Sequence, residues 1–187
     1  MQMRNKIVVA GLGLALMHGM AIAAPQGEDK ANKSDVTFVK KAAEGGNAEV
    51  KMGQLAQDKG ESTAVKEFGK RMEQDHTQAG EKLKDLASKE NIDLPTGMSA
   101  SDQQVYDRLS KLSGSAFDVA YMRDMVKDHT ADISEFQQEA KNGTDEKLKR
   151  FASDTLPTLQ DHLKQAQQIR ASQGGKNVKS AQKEESQ

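Results

Sequence analysis

Apolar residues recur at alternating steps of four and three along four long stretches of the chain, the spacing of one helical face. In the first, Phe38, Ala42, Gly45, Glu49, Met52 and Ala56 share a stripe. Ser34 is the expected N-cap, Asp35 sits in the first turn where the helix dipole favours a negative charge, and Gly60 is the stop. The second begins at Ser62 or Thr63 and carries Val65, Phe68, Met72, His76, Ala79, Leu83 and Leu86. Asn91 to Gly97, with Pro95, ends it. Ser101-x-x-Gln104 reads as a capping box opening a short helix through Leu109 and Leu112. Ser113-Gly114 breaks that helix, and Ser115 is expected to cap the third long one, with Tyr121 or Met122, Met125, His129, Ile133, Phe136 and Ala140. Asn142-Gly143 stops it. Thr144 is the expected cap of the fourth, which carries Leu148, Phe151, Thr155, Leu159, His162, Ala166 and Ile169.

Three features depart from plain helix. Gly45-Gly46 costs ~1 kcal/mol per glycine relative to alanine. Such a pair suits a close approach of two helix backbones, or a bend. Pro157 inside the fourth stripe predicts a kink, at roughly 3 kcal/mol unless packing compensates. The halves also look duplicated, with Lys66-Glu67-Phe68 and Lys149-Arg150-Phe151 at matching points. Two tight hairpins joined by a long, partly helical connection predict an all-α, ferritin-like four-helix bundle with a crossover that carries a short extra helix.

Composition agrees. Aromatics make up only 4% of the 187 residues and there is no Trp, so core volume must come from Leu, Ala, Val, Met and a few Phe. The chain has no Cys, which excludes disulfides, thiolate metal sites and a Cys nucleophile. Arg4 and Lys6, the apolar run Ile7 to Met17, and Ala21-Ile22-Ala23 read as a cleavable export signal. Residues 1–23 are therefore expected to be removed. Residues 24–33 read as a flexible lead-in, 34–172 as the four-helix domain and 173–187 as a disordered polar tail. The expected location is the periplasm, with no transmembrane anchor after processing, because the run is shorter than the ~20 apolar residues of a span. Formal net charge is -1, and loss of Arg4 and Lys6 makes it more negative. No basic face of the kind nucleic acid requires is visible. Protein partners are not legible, and a homo-oligomer is compatible with the sequence.

The chemistry concentrates in the histidines. Met72-Glu73-Gln74-Asp75-His76-Thr77 and Met125-Val126-Lys127-Asp128-His129-Thr130 are near-repeats, and Asp161-His162 is a third Asp-His pair. At ~1.5 Å rise per residue, Glu49 lies ~18 Å before the first hairpin turn and His76 ~22 Å after it. By the same rise His129 lies ~22 Å before the second turn and His162 ~28 Å after it. If the crossover runs the length of the bundle, Glu49, His76, His129 and His162 share one layer. One carboxylate and three imidazoles suit Zn, Fe, Mn or Cu. Met72 and Met125, each one turn before a histidine, are either core filler or soft ligands for Cu(I). Asp75, Asp128 and Asp161 point about 100° away from their own histidines, and are either outer partners of a histidine on the next helix or solvated residues at the stripe edge. Asp132, one turn after His129, is better aimed as an outer partner. The second reading is a buried hydrogen-bond network that only fixes helix packing, in a structural or envelope-stress protein. An oxidoreductase is disfavoured: Glu73-x-x-His76 is half of a di-iron spacing, but Val126 and Leu159 stand where the other carboxylates belong. No nucleophile elbow, phosphate loop or paired-carboxylate hydrolase signature is present, so the reading leans away from an enzyme.

The segments F-V-x-K-A-A at Phe38, A-E-V-K-M-G at Ala48, R-M-x-x-D-H-T at Arg71, G-x-A-F-D-x-x-Y at Gly114 and L-P-T-L-x-x-H-L at Leu156 resemble an exported bacterial family of unknown function. This is the domain of unknown function 4142 type, often labelled outer-membrane proteins. The resemblance covers about Val36 to Ile169. It implies a periplasmic, mostly α, ferritin-like domain in which Glu49, His76, His129 and His162 match the pattern's polar positions, and it implies no activity or substrate. No barrel alternation or lipobox supports the outer-membrane label.

Overall fold

The structure is a computed structural model that describes residues 30–184, with side chains through 173. The export signal and His18 lie outside the described residues. Five helices and no strand are present among them: α1 Lys33–Lys59, α2 Thr63–Lys89, α3 Ala100–Ser110, α4 Gly114–Asn142 and α5 Glu146–Glu184. The backbone of α5 is helical past Ser172, where the sequence reading ends the domain, and runs unbroken through Pro157. None of the described helices is long and apolar enough to cross a membrane.

Helix pairs α1–α2 and α4–α5 form the two hairpins, α1 packs on α4 and α2 on α5, and α3 lies against α1 and α4. This is the expected ferritin-like bundle. Two aspartates set its polarity. Asp35 in the first turn of α1 accepts hydrogen bonds from Thr144 N (3.1 Å), Thr144 Oγ1 (2.6 Å) and Asp145 N (3.0 Å) in the α4–α5 turn. Asp118 in the first turns of α4 accepts from Glu61 N (3.0 Å) and Ser62 N (2.9 Å) in the α1–α2 turn. Each hairpin begins beside the other's turn, so the connection between them does run the length of the bundle. Asp35 and Asp118, Gly60 and Gly143, Ser62 and Asp145, and Phe68 and Phe151 are each separated by the same interval in sequence. The duplication suggested by the two Lys-x-Phe segments is thus a two-fold repeat of the whole hairpin frame.

Helix starts differ from expectation by one or two residues. Asn32, not Ser34, caps α1, in a reciprocal capping box with Asp35. Ser99, not Ser101, caps α3. Ser113 precedes α4, and Gly114, at φ 60, makes the turn into the helix that only glycine adopts without strain. Asp145, not Thr144, caps α5, accepting from Lys147 N and Leu148 N, because the Thr144 hydroxyl is engaged by Asp35.

The glycines also correct the sequence reading. A Cβ on Gly45 or Gly46 would meet nothing within 4 Å, so no helix approaches there. The close approach is between Gly53 of α1 and Gly69 of α2, where a Cβ on Gly53 would lie 2.5 Å from the Gly69 carbonyl oxygen. Gly69→Ala should therefore destabilise the protein by about 1–3 kcal/mol through overpacking. Gly80→Ala, in open space on α2, should stabilise it by roughly 0.5–1 kcal/mol. Chemical denaturation of the two variants checks both signs.

Side chains of the apolar stripes fill two clusters. One, around Phe68, Met72, Tyr121, Met122 and Met125, lies toward the α1–α2 turn. The other, around Phe38, Leu83, Phe136, Leu148 and Phe151, lies toward the α4–α5 turn. Between them the four-helix core is polar.

A trihistidine centre in the polar layer

His76 of α2, His129 of α4 and His162 of α5 each place one ring nitrogen within 4.8 Å of the others, the only such trio among the described residues. His129 and His162 are fully buried. His76 lines a neighbouring cavity, and its Nε2 is buried without a hydrogen-bond partner. Phe68 supports the group from the apolar side, its ring centroid 6.5 Å from those of both His129 and His162.

Hydrogen bonds on the outer nitrogens fix the inner ones. His129 Nδ1 lies 3.0 Å from the Met125 carbonyl oxygen, one turn back on α4. A carbonyl only accepts, so Nδ1 carries the proton and Nε2 a lone pair. His162 Nε2 lies 2.7 Å from Asp75 Oδ2. The same oxygen accepts from Arg71 Nε at 3.2 Å, so it acts as an acceptor and His162 Nε2 is the donor. In neutral His162, Nδ1 is then bare. The two bare nitrogens, His129 Nε2 and His162 Nδ1, face each other at 3.2 Å.

Burial disfavours the protonated form of all three rings. Burial drives the His129 pKa down to about 3, helped by the neighbouring His162. Burial and the two other imidazoles drive His76 well below its ordinary value. Burial and Arg71 lower His162 against the pull of Asp75. A shared proton is thus disfavoured, and the lone pairs converge on a small, electron-rich space. Two nitrogens bound ~2.0–2.1 Å from a tetrahedral metal ion stand ~3.3 Å apart, close to the spacing found. The Asp75–His162 pair has the form of a carboxylate that orients a metal-binding histidine. Of the three Asp-His neighbours in the sequence, it is Asp75 that reaches a histidine on the next helix.

Glu49 occupies the expected layer but not the trio. Its Oε1 lies 3.6 Å from His129 Nδ1, the proton-bearing side that faces away from His162. Both its oxygens are buried without hydrogen-bond partners, and burial, with Asp132 and Asp128 nearby, pushes its pKa well up. A neutral carboxylic acid is the form this environment favours. Asp132 lines the same cavity as His76, its pKa pushed up to about 7 by burial and by Asp128, Glu135 and Asp102. Met72 and Met125 lie in the apolar cluster with Phe68, and Met125 serves the centre through its carbonyl. Arg71 and the Met125 carbonyl are parts of the centre that sequence reasoning missed; the i,i+4 spacings Arg71–Asp75 and Met125–His129 were the available signals.

A family model described as a domain of unknown function, DUF4142, matches residues 21–169. No curated protein matches the chain. Among solved structures, the fold is similar to a DUF305 fragment from Deinococcus radiodurans, at TM-score 0.67 and 10% identity over 76% of this chain and 98% of that one. It is also similar to a DUF305 protein from Streptomyces coelicolor reported as secreted, at TM-score 0.64 and 15% identity over 75% of this chain and 94% of that one.

Proposed function

The chain belongs to the DUF4142 family, and on that premise we propose that it is an exported protein that binds one transition-metal ion through His76, His129 and His162. The observation that carries this reading is that His129 Nε2 and His162 Nδ1 face each other at 3.2 Å while the other nitrogen of each ring is taken by a hydrogen-bond acceptor. A polar layer that served only packing would satisfy its own groups. This one leaves His76 Nε2 unpaired and sets two lone pairs in opposition, an arrangement that an ion relieves. Imidazole donors without a carboxylate in the trio favour zinc or copper over manganese. Three protein ligands leave a fourth position for water or another small ligand. Export is supported by the N-terminal pattern and periplasmic location is part of the proposal.

The test is metal analysis and thermal melting of protein purified without a chelator or a His-tag. The expected result is one Zn(II) or copper ion per chain and a melting temperature that rises with metal, since a ligand that binds only the folded state stabilises it. Absence of both would overturn the proposal.

The depressed histidine pKa values add a further expectation. An ordinary histidine, with pKa near 6.5, is roughly three-quarters protonated at pH 6 and must lose that proton to a metal. Here burial drives His129 down to about 3 and His76 well below its ordinary value, and lowers His162, so the folded rings carry fewer protons at pH 6 than ordinary histidines. Metal uptake at pH 6 should therefore release well under two protons per ion. Calorimetry in buffers of different ionisation enthalpy measures this directly. Release near two protons per ion would contradict the assigned ring states.

A further inference from the structure

A cavity of about 440 Å³ adjoins the trio, lined by His76 and His162 and walled by Val50, Leu83, Phe136 and Leu159 among others. We infer that it is a binding chamber for a small apolar monocarboxylate, whose carboxylate occupies the open position of the metal ion; this rests on the metal-binding reading above.

The chamber is built rather than left over. Its volume lies in the ~300–1,000 Å³ range of small-molecule sites, and its wall is mainly apolar. Gly45, Gly46 and Gly80 all line it, and a Cβ on any of them would meet nothing within 4 Å. Glycine inside a helix costs ~1 kcal/mol, and here no packing contact requires it. What the glycines provide is room. The two-fold frame makes the same point. The interval that relates Asp35 to Asp118 also relates Gly46 to His129, Ala79 to His162 and His76 to Leu159. Gly46, Ala79 and Leu159 all line the chamber. It stands where a second trio would stand, with two of the three places reduced to small residues.

Charge selects the head group. Imidazole ligates a metal only as the neutral ring, and Asp75 is matched by Arg71, so a bound dication brings positive charge that the trio and its hydrogen-bond partner leave unbalanced. Of the wall's other carboxylates, Glu135 is paired with Lys41, and Asp132 offsets this charge only in part. A monoanion completes the balance. The apolar wall selects its body.

The experiment uses the full chain loaded with Co(II), whose visible absorption reports its ligands, with metal uptake measured before any carboxylate is added. Hexanoate, acetate and hexan-1-ol are then titrated. Hexanoate is expected to change the Co(II) spectrum and bind at least tenfold more tightly than acetate, and hexan-1-ol to leave the spectrum unchanged. Gly46→Leu and Ala79→Leu, each checked for helix content and Co(II) uptake, should cut the advantage of hexanoate over acetate to less than twofold in whichever variant folds. Equal binding of hexanoate and acetate to the wild type, or an advantage that survives the filled chamber, would overturn the inference while leaving the metal site standing. A wild type that takes up no Co(II) would overturn both, and that result is read independently at the first step.

Discussion

His129→Ala should abolish stoichiometric metal binding. The ring contributes one of three donors, and its Nε2 is the nitrogen already placed 3.2 Å from its neighbour. Two imidazoles without the third leave an ion half-coordinated in a buried site, where water cannot fully replace the lost ligand. Asp75→Ala should act more gently, lowering affinity by about 10–100-fold. It keeps all three donors but frees His162 to move its proton onto Nδ1, the nitrogen the metal needs. Competition against a chelator of known affinity separates the two outcomes. Without metal, a packing role predicts something different for His129→Ala: loss of roughly 1–3 kcal/mol of stability and no metal-dependent shift in either protein. Wild-type affinity retained in His129→Ala would place the ion elsewhere.

Asp35→Ala should be the most damaging single substitution for stability, at roughly 3–5 kcal/mol. Asp35 is fully buried. It takes hydrogen bonds from its own cap at Asn32 N (3.1 Å) and from three donors of the α4–α5 turn. Truncation strands all of them. Asp118→Ala, which strands two, should cost about half as much. Burial alone would raise the Asp35 pKa, but the bonds from Thr144, Asn32 and Asp145 outweigh it and hold the value below the ordinary 3.8. The folded pKa is depressed, so this contribution is present above pH 3.8 and is lost as pH falls through the lower folded value. Urea melts of wild type and Asp35→Asn should therefore differ at pH 7 and converge only below about pH 4. Equal stability at pH 7 would show that the turn closes without the carboxylate.

The fold was readable because its signals are periodic. Phe68, Met72 and Leu83, or Leu148, Phe151 and Leu159, declare a face of a helix without reference to any other part of the chain. The shared layer was also readable, since rise per residue and two hairpin turns fix height along a bundle. Azimuth was not. Height put Glu49 with the histidines, but rotation about α1 sends its carboxyl to the protonated side of His129. The partner of His162 is Asp75, from a different helix, and no local pattern says which of three equivalent Asp-His neighbours will cross over. The caps failed for a related reason. Thr144 and Asp145 are both good caps in isolation, and the choice between them is made by Asp35 from the other hairpin. Gly45-Gly46 was misread because a helical glycine can mean contact or vacancy, and sequence distinguishes neither.

That last ambiguity carries a mechanical consequence. Gly46 and Gly53 lie two turns apart on the same face of α1, ~10 Å along the axis. At Gly53 the backbone of α2 is so near that a methyl group has no place, and at Gly46 nothing is within 4 Å. The chamber wall at Gly46 is carried by the same helix that is pinned to α2 at Gly53, so the room there depends on how tightly the two helices meet. A side chain added at Gly53 or Gly69 would touch no histidine and line no chamber, yet it would change the dimensions of both. The ligand size that the proposed chamber would admit is thus tuned at a crossing of two bare backbones outside the chamber itself.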